Sequence, residues 1–534
     1  METSRHTFHV DRSQIHYIRS TLESYDGMAL VRTLDPRSAL VEVRVPKECE
    51  EELMSLVRSL ERQEGIVMKP SPASGEREGR RQSLEAGPLS FFIRTMGCQM
   101  NVYDSDYARK CLEKGGYVRS IDPETADVVL INTCSVRAKA EQKAVSTLGR
   151  MASIQRRNRR GVLVFAGCVA QQEGGALLDR FPELDLVVGT RQIHRIASLV
   201  RRVSETGERL VETGLDGADL LPAPPKGNLE EDSIKGAITI MQGCNNFCSY
   251  CIVPYVRGRE VSRQPDEIVK EAKSLLESGA REITLLGQNV NSYQWNDGAE
   301  LVDFSCLLKI LNKLPGRFRL RFTTSHPKDL SEDLIRCFCD LEHLCGHLHL
   351  PFQAGADRIL KRMNRKYTRS RYLDLVQKLR LVRPEIALTA DVMVGFPGET
   401  REDFEETLDL IRNVRFDNLY SFKYSDRKGT AASRLDDQVE ESEKSVRLEA
   451  LQSLQNRITL EKNRALEGSI LHVLVEGSSK KGHQQTGRSD CNRVVNFDCD
   501  FCQVGDFLKV MIKEGCAHSL RGEALESEGP GALS

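Results

Sequence analysis

The spacing of hydrophobic positions divides the chain into four regions. In the first, residues 41–45 alternate between apolar and polar as in a strand, while apolar residues at helical spacing over 15–22 and 53–60 predict two helices. The order of these segments predicts a β-α-β-β-α-β unit, a ferredoxin-like α+β appendage, over residues 1–70. It contains no cluster of chemically active residues, so we expect a docking or regulatory role. A polar stretch then predicts a linker over residues 71–88.

From residue 89 the pattern changes to short apolar runs separated by helical segments. The predicted strands cover residues 91–95, 128–132, 162–166 and 186–188. This alternation is typical of a parallel sheet covered by helices, and it predicts an α/β domain over residues 89–205. A stretch rich in proline and acidic residues marks the next linker, over residues 206–233.

A cysteine follows each of the first three predicted strands of this sheet, at Cys98, Cys134 and Cys168. The carboxyl ends of neighbouring parallel strands meet at one edge of a sheet, where such folds bind ligands. We therefore expect the three thiols to lie together and to hold an iron–sulfur cluster. The alternative is that they are small residues in tight turns. Cys111, on the intervening helix, lacks this placement and is predicted to be a core residue. Cys337, Cys339 and Cys345, near a later helix end, are predicted to be core residues as well.

A strand-then-helix pattern repeats six times between residues 234 and 464. The predicted strands cover residues 237–240, 283–286, 319–323, 347–350, 387–394 and 419–424. Six units are fewer than the eight of a closed barrel, so we expect an open, partial (β/α)6 barrel with its active site at the carboxyl ends of the strands. His347 and His349 alternate on the fourth strand and are predicted to be wall residues rather than metal ligands.

The first of these strands is followed by Cys244, Cys248 and Cys251, with three and then two residues between the thiols. A cuboidal cluster has four irons that each bind one thiolate, so three cysteines in a tight loop leave one iron open to a small molecule. A zinc site would need a fourth ligand close by, and the next candidates, Cys306 and His343, lie far downstream. The loop resembles the signature of the radical S-adenosylmethionine (SAM) enzymes. In that family the open iron binds the amino and carboxyl groups of SAM, and reductive cleavage yields a 5′-deoxyadenosyl radical.

The ends of other predicted strands carry residues suited to hold SAM on the same rim. The candidates are Gln288 and Asn289 after the second strand, Gln353 after the fourth, and Gly395, Gly398 and Glu399 after the fifth. Side-chain amides can bind the ammonium and carboxylate of SAM, and glycines allow the backbone to approach its adenine or ribose. Each loop taken alone would be an ordinary surface turn, but their position on one rim favours a binding site.

Residues 465–526 follow a long helix and show the alternating pattern of a small β-barrel. Four basic residues are concentrated there beside Phe497 and Phe501: Lys480, Lys481, Arg488 and Arg493. Basic groups beside aromatic rings suit an RNA backbone with unstacked bases, and a merely solvated face has the same composition. Cys499 and Cys502 have the spacing of zinc ligands but lack a second close pair.

Composition limits the function classes that remain. The chain has 534 residues, of which 40% are hydrophobic, enough for several domains with cores. Its net charge of −1 excludes a global basic field, so any contact with RNA must be local. No signal-peptide pattern and no apolar run of ~18 residues is present, so we expect a cytoplasmic protein without a membrane partner. We also expect a monomer. In a reducing compartment its 16 cysteines are thiols or metal ligands.

From about Phe91 to Glu523 the chain resembles the methylthiotransferases. The matching motifs are residues 95–101 (TMGCQMN), 132–137 (NTCSVR), 167–172 (GCVAQQ), 287–293 (GQNVNSY) and 325–330 (SHPKDL). They are most similar to the branch that methylthiolates N6-isopentenyladenosine beside the anticodon of tRNA. The last region is similar to a TRAM domain, an RNA-binding module, at residues 492–497 and 518–523.

The resemblance implies two 4Fe-4S clusters and SAM as cofactors, and tRNA, a reducing electron donor and a sulfur source as partners. It implies that one SAM methylates sulfur held at the cluster of Cys98, Cys134 and Cys168. Another SAM is cleaved at the cluster of Cys244, Cys248 and Cys251, so that a radical can attack carbon 2 of the adenine. Two alternatives within the family act on another tRNA adenosine derivative or on a ribosomal-protein aspartate. A non-catalytic iron–sulfur protein that binds RNA or senses redox state would not need SAM-binding loops on several strands.

Overall fold

A computed structural model describes residues 3–10, 18, 30–35, 40–64, 66, 68–70, 88–135, 138–158, 161–215, 222, 224, 225, 233–298, 300–479 and 484–527. The chain separates into two compact units, Met1–Ala86 and Gly87–Ser534. The predicted helix over 15–22 and the predicted linker over 71–88 lie almost wholly outside the described residues. Among the helices that are described, none has the length and apolar character needed to cross a membrane.

The first unit contains a four-stranded antiparallel sheet. Its strands, in spatial order, are Leu30–Asp35, Leu40–Pro46, Thr3–His9 and Lys69–Pro70, and its described helix is Glu50–Glu64. Val41, Val43 and Val45 are fully buried on one face of the sheet, in the same core as Leu53 and Leu60 of the helix. The strand order is that of a ferredoxin-like fold, so this prediction is confirmed.

The second unit begins with a six-stranded parallel sheet. In spatial order its strands are Leu210–Glu212, Leu186–Val188, Val162–Gly167, Val128–Thr133, Ser90–Met96 and Val118–Arg119. Its helices are Gln99–Lys114, Ala138–Asn158, Cys168–Glu173, Ala176–Arg180 and Ile196–Thr206. Every residue of Val128–Thr133 and Val162–Gly167 is buried, because separate hydrophobic cores cover the two faces of the sheet.

Two short strands of this sheet carry no clear hydrophobic signal. Val118–Arg119 and Leu210–Glu212 form its two edges, and neither strand has a fully buried residue. Leu210–Glu212 pairs in parallel with Leu186–Val188, and its Glu212 accepts a hydrogen bond from the backbone nitrogen of Gly189 at 2.7 Å. The sheet therefore extends into the segment that the sequence assigned to the linker over 206–233.

The partial barrel follows, as two three-stranded parallel sheets. Its strands are Lys235–Thr239, Glu282–Leu286, Arg319–Phe322, His347–His349, Ala387–Val394 and Asn418–Lys423. A parallel bridge between Leu320 and Leu344 joins the two sheets, so the six strands stand side by side in chain order. The described strands do not close into a ring, which confirms the open barrel. Two short antiparallel pairs, Met241–Gln242 with Val261–Ser262 and Gln294–Asn296 with Leu301–Asp303, lie among the connections.

The helices of the partial barrel begin at residues that favour helix starts. They are Val253–Arg257, Pro265–Glu277, Phe304–Asn312, Glu332–Asp340, Asp357–Arg362, Arg369–Val382 and Arg401–Val414. Pro265 occupies a first-turn position, where its missing N–H costs nothing. Ser331 and Thr368 accept hydrogen bonds from the backbone three residues ahead. Thr400 and Asp403 form a reciprocal capping box. These local contacts define where the helices begin, and the apolar faces of the helices pack on the strands.

A long helix, Glu441–Arg464, leaves the partial barrel with Leu451 and Ile458 buried in its core. A closed five-stranded barrel then follows, which we call the small barrel. Its strands are Ile470–Ser478, Gln485–Ser489, Val494–Asp498, Phe507–Gly515 and Leu520–Ser527. Alternate side chains, such as Val473, Val475 and Phe497, pack in its interior and are fully buried.

The small barrel docks on the amino ends of the strands of the partial barrel. Lys235, the first residue of its strand, lies 2.6 Å from Glu476 of the small barrel. Arg319 and Arg321 donate to backbone carbonyls of the small barrel, among them His472 at 2.8 Å and Ser489 at 3.0 Å. The two guanidinium groups are buried, and each bond to a carbonyl replaces one to water. The carboxyl ends of the same strands are left for other contacts.

Candidate active site between two cysteine groups

The loop that carries Cys244, Cys248 and Cys251, the first cysteine group, lies at the carboxyl end of Lys235–Thr239. Cys244 and Cys248 are buried and Cys251 is partly buried. The loop begins at Gly243, which has φ +82°, and a Cβ there would overlap the carbonyl oxygen of Arg259. The backbone nitrogen of Cys244 donates to Gly258 at 3.1 Å, so the two ends of the loop are held together.

Burial dominates the electrostatics of the first cysteine group. Together with the neighbouring Cys248, it raises the pKa of Cys244 to about 11 and that of Cys251 to about 12. The positive charge of Arg365 opposes the rise in the pKa of Cys251. The Nη1 of Arg365 also donates to the Cys248 sulfur at 3.5 Å. Without a metal the thiols of Cys244 and Cys251 therefore hold their protons, and metal binding would displace them.

The second cysteine group consists of Cys98, Cys134 and Cys168, at the carboxyl ends of three adjacent strands of the parallel sheet. A hydrogen bond from Cys134, together with the charge of Arg257, lowers the pKa of Cys98 to about 6, although burial acts in the opposite direction. Burial raises the pKa of Cys168, against the opposing charge of Arg257. The thiols of Cys98 and Cys134 are thus neighbours, and the guanidinium of Arg257 lies close enough to act on both Cys98 and Cys168.

Buried amides fix the strand ends that carry the second cysteine group. Asn101 Nδ2 donates to the carbonyl of Thr133 at 2.9 Å, and Asn132 Nδ2 donates to the carbonyl of Asn101 at 2.9 Å. Thr133 Oγ1 reaches the next strand, where it donates to Ala166 at 2.7 Å. Each cysteine therefore follows a strand end that is hydrogen-bonded to a neighbouring segment, and these bonds hold the three strand ends in place before any cofactor binds.

Thiolates are the donors that hold a 4Fe-4S cluster, in which each thiolate binds a different iron. Three thiolates leave one iron of such a cluster open. Each group offers three thiols, and the residues present fit this kind of cofactor.

A short helix, Val253–Arg257, connects the two cysteine groups, and we call it the bridging helix. It begins two residues after Cys251, and its Val256 packs with Ile252 against Cys168 of the second group. Its last residue, Arg257, forms a buried ion pair with Asp104 of the parallel-sheet domain, Nη2 to Oδ2, at 2.7 Å. The segment that follows the loop of one group is therefore packed directly on a cysteine of the other.

Buried polar atoms that lack a hydrogen-bond partner among the described residues mark the carboxyl ends of the partial barrel. Five of them are Gln288 Nε2, Asn289 Oδ1, Ser325 Oγ, His326 Nε2 and Gln353 Oε1. They follow three different strands, Glu282–Leu286, Arg319–Phe322 and His347–His349. Such atoms are costly to bury unpaired, which indicates a polar ligand that completes their bonds. An amino acid part such as that of SAM fits this set of donors and acceptors.

The turn that contains Gly395, Gly398 and Glu399 is held by internal contacts. Glu399 Oε2 accepts from the backbone of Gly395 and from Arg447 Nη1, both at 2.7 Å. Gly395 has φ +70°, and a Cβ there would overlap the Lys444 side chain. Packing thus explains the glycine without a ligand. Glu399 Oε1 is buried and has no partner in the described part of the chain, so one atom of this turn remains for an outside group.

The four predicted RNA contacts divide into three cases. Lys480 and Lys481 lie outside the described residues. Arg488 is partly exposed on the small barrel, with its Nε 3.4 Å from Glu476. Arg493 is ion-paired with Asp417, and its Nη1 also donates to the Cys491 sulfur at 3.3 Å. Arg493 is therefore part of the contact between the small barrel and the partial barrel.

Most of the other cysteines and histidines lie where the sequence predicts them. Cys111, Cys337 and Cys345 are buried away from both cysteine groups. His347 Nε2 and His349 Nδ1 both contact Thr389 Oγ1, at 3.1 and 3.0 Å, so they are wall residues of the barrel. Cys339 is exposed, whereas the sequence predicted core. Burial and a hydrogen bond with Cys499 raise the pKa of Cys502 to about 12, which places these two thiols side by side.

Sequence reasoning missed four polar residues of the site: Asp104, Arg257, His326 and Arg365. His326 stands in a quoted motif, but nothing in the pattern predicts that its Nδ1 accepts from the backbone of Lys328 at 3.1 Å and leaves Nε2 buried. Burial, with the charges of Arg365 and Lys328, lowers the pKa of His326 to about 2, so its ring is neutral. The signal that could have indicated Arg257 is its place directly after the cysteine loop.

Four protein families match the chain. The Radical SAM superfamily matches residues 238–411, and the TRAM domain matches residues 464–525. The uncharacterized protein family UPF0004 covers residues 90–189, and a domain of unknown function, DUF4911, covers residues 8–63. The first three matches fall on the partial barrel, the small barrel and the parallel sheet.

Similar proteins cover most of the chain. The tRNA-2-methylthio-N(6)-dimethylallyladenosine synthase of Syntrophus aciditrophicus is 50% identical over 442 residues, which is 82% of this chain and 95% of that protein. The protein of the same name from Desulfosudis oleivorans is 48% identical over 459 residues, 83% of this chain and 98% of that protein. Among solved structures, the radical S-adenosylmethionine methyltransferase TsrM from Kitasatospora setae aligns with TM-score 0.48 and 16% identity, over 65% of this chain and 77% of that one. The two cysteine groups, the small barrel and these long matches lead to one conclusion: the chain belongs to the tRNA-2-methylthio-N(6)-dimethylallyladenosine synthase family of radical SAM enzymes.

Proposed function

We propose that this chain is a tRNA methylthiotransferase that converts N6-isopentenyladenosine (N6-dimethylallyladenosine), next to the anticodon, to its 2-methylthio derivative. One structural observation carries the proposal. Two groups of three cysteines, on two separate sheets, meet at the bridging helix, where Val256 packs against Cys168. A reaction that must both activate a carbon and deliver sulfur to it requires two such sites side by side. The relatives named above support the choice of substrate.

The cofactors are two 4Fe-4S clusters and SAM. Cys244, Cys248 and Cys251 would hold one cluster, and the second cysteine group would hold the other. When bound, these cofactors supply the electron, the radical and the methylthio sulfur needed at the adenine C2–H bond, which is neither acidic nor hydridic. The protein contributes position, burial and charge.

The five buried polar atoms that have no hydrogen-bond partner among the described residues, which we call the orphan atoms, give the partial barrel its role in binding SAM. The amides of Gln288 and Gln353 are uncharged, and each presents one of these atoms at a strand end. Gln288 is also fixed to the cysteine loop, because its Oε1 accepts from the backbone of Gly243 at 2.5 Å. SAM held by this amide would therefore keep a fixed position relative to Cys244. Neutral His326 can donate without adding a positive charge beside the sulfonium.

The side chains around the first cysteine group also exclude water. Cys244 and Cys248 are 9% and 8% exposed, and the neighbouring Gln242, Asn289 and Gln353 are buried. A site closed in this way protects a reactive carbon radical from side reactions. Arg365 donates to Cys248 and to the Pro351 carbonyl, which holds the loop against the fourth strand.

Further parts of the proposal concern partners and location. We place RNA contacts at Lys480, Lys481 and Arg488, within a TRAM domain of residues 465–526. Arg493, the fourth residue predicted from the sequence, is instead used in the contact between the small barrel and the partial barrel. The reaction needs an electron donor and a sulfur source, and we propose that the chain acts as a monomer in the cytoplasm. All 16 cysteines are free thiols, which suits a reducing compartment.

Nucleoside mass spectrometry tests the substrate. We expect tRNA from a strain that lacks this protein to lose the 2-methylthio form and to accumulate N6-isopentenyladenosine. Wild-type protein supplied on a plasmid should restore the modification, and a matched variant with Cys244, Cys248 and Cys251 replaced by Ala should not. Unchanged tRNA together with a ribosomal protein lighter by one methylthio group would instead assign the chain to the aspartate-modifying branch.

A further inference from the structure

We propose that Arg257 is a positioning residue of the second cysteine group, which supplies a fixed positive charge and an N–H donor to the cluster held by Cys98, Cys134 and Cys168. The proposal rests on the assignment of a cluster to this group. Arg257 does not belong to the sheet that carries these cysteines. It comes from the bridging helix, which follows Cys251 of the first group. One cysteine group would thereby adjust the properties of the other.

The first support is the state of the Arg257 side chain. It is 3% exposed, and its Nη2 pairs with the 4% exposed carboxylate of Asp104 at 2.7 Å. Its Nη1 is also buried, but has no hydrogen-bond partner among the described residues. An unpaired buried donor is unfavourable, and more so on a charged group, so a group that fills this space and accepts a hydrogen bond would be stabilising.

The second support is the proximity of Arg257 to the thiols. The neighbouring Val256 packs directly on Cys168. Asp104, the ion-pair partner of Arg257, lies on the helix Gln99–Lys114, which begins one residue after Cys98. Arg257 thus stands between the segments that carry two of the three cysteines, which follow different strands.

The third support is the way the bridging helix is fastened. Thr190 Oγ1 donates to the carbonyl of Val256 at 2.6 Å, and Arg191 Nη2 donates to the carbonyl of Arg259 at 2.6 Å. Arg191 Nε also donates to the carbonyl of Arg257 itself, at 3.1 Å. These bonds hold the backbone on both sides of Arg257 to the parallel-sheet domain. The guanidinium therefore has a fixed position rather than a range of surface rotamers.

A fixed positive charge has a defined effect on a cluster. Reduction adds one negative charge, and a nearby cation in a buried site stabilises the reduced form more than the oxidised form. Hydrogen bonds to the sulfurs act in the same direction, and such outer contacts set the potentials of iron–sulfur sites. Arg257 should therefore raise the reduction potential of the second cluster. Asp104, which neutralises part of the charge, should lower it.

The test measures the reduction midpoint of the second cluster in the full-length chain. Cys244, Cys248 and Cys251 are first replaced by Ala, so that only the second cluster contributes to the spectrum. In this background we expect Arg257→Gln to make reduction at least tenfold less favourable, a 59 mV decrease for one electron. Arg257→Lys, which keeps the charge, should shift the midpoint less. Asp104→Asn should raise it.

Arg263→Gln is the matched control. Arg263 is also buried and pairs with a carboxylate, Glu271, at 2.7 Å, but its Nη1 also donates to the carbonyl of Thr239, in the first strand of the partial barrel. Its midpoint should equal that of the parent. Equal midpoints in Arg257→Gln, Asp104→Asn and Arg263→Gln would overturn the proposal. If Arg257→Gln fails to retain iron, Asp104→Asn decides, and an unchanged midpoint there also overturns it. A parent without iron refutes the cluster assignment itself, so the two failures are distinguishable.

Discussion

Replacing the three ligands of the first cysteine group should remove half of the bound iron. The two groups hold three thiols each and lie on different sheets, and the parallel sheet has its own hydrophobic cores on both faces. Cys244→Ala, Cys248→Ala and Cys251→Ala each delete one sulfur atom, at a cost of about 1 kcal/mol per site. That loss falls on the partial barrel, so the second cysteine group should still assemble. We expect one cluster per chain instead of two, a decrease of about 50%.

Anaerobic counting of iron and acid-labile sulfide measures this ratio. The matched control replaces Cys111, Cys337 and Cys345 by Ala, which are also buried but belong to neither group. It should keep the full iron content, and circular dichroism should show that both variants are folded. A ligand variant that loses all of its iron, or none, contradicts the independence of the two sites. Equal losses in both variants would indicate that cysteine replacement acts through stability alone.

Three further predictions follow from the same structure. Replacing all three residues of the second cysteine group by Ala should leave 5′-deoxyadenosine formation intact but abolish methylthiolation, measured by chromatography of the two products; product from this variant would refute the division of roles. The pKa of His326, about 2 in the folded chain, lies below its usual 6.5, so protons bind more strongly to the unfolded chain. Stability should therefore fall as pH decreases below 6.5, by up to about 1.4 kcal/mol per pH unit, and urea unfolding of His326→Gln should show a smaller decrease. Binding of tRNA should weaken with salt, and Lys480→Ala with Lys481→Ala should reduce the slope of log K against log salt by about 2.

Hydrophobic periodicity predicted most of the fold because most strands are buried on at least one face. All eight residues of Ala387–Val394 were assigned correctly from the sequence, and its burial is almost continuous. Gln485–Ser489 of the small barrel, in contrast, carries no hydrophobic signal. It contains no large apolar residue, and its buried positions are Gly487 and Ser489. In a small closed barrel such residues allow neighbouring strands to approach, so strand and loop look alike in the sequence.

The candidate site was predictable where its chemistry lies in short motifs. The strand-end argument brought Cys98, Cys134 and Cys168 together because parallel strands share an edge. The ion pair of Arg257 with Asp104 joins positions 153 residues apart, and no spacing rule connects them. Its partners meet only through the docking of the bridging helix on the parallel-sheet domain. Buried ion pairs between domains leave no periodic signal in the sequence, so this ion pair is visible only in the structure.

The docking of the small barrel on the amino ends of the partial-barrel strands sets a minimum size for the substrate. The first cysteine group and the orphan atoms lie at the opposite, carboxyl ends. Glu282–Leu286, which separates these two ends, has five residues and is therefore ~17 Å long. An RNA that contacts the small barrel and also places a base beside Cys244 must span more than this length. A free nucleoside reaches one of the two places but not both, so the chain should discriminate by the length of the molecule as well as by the base.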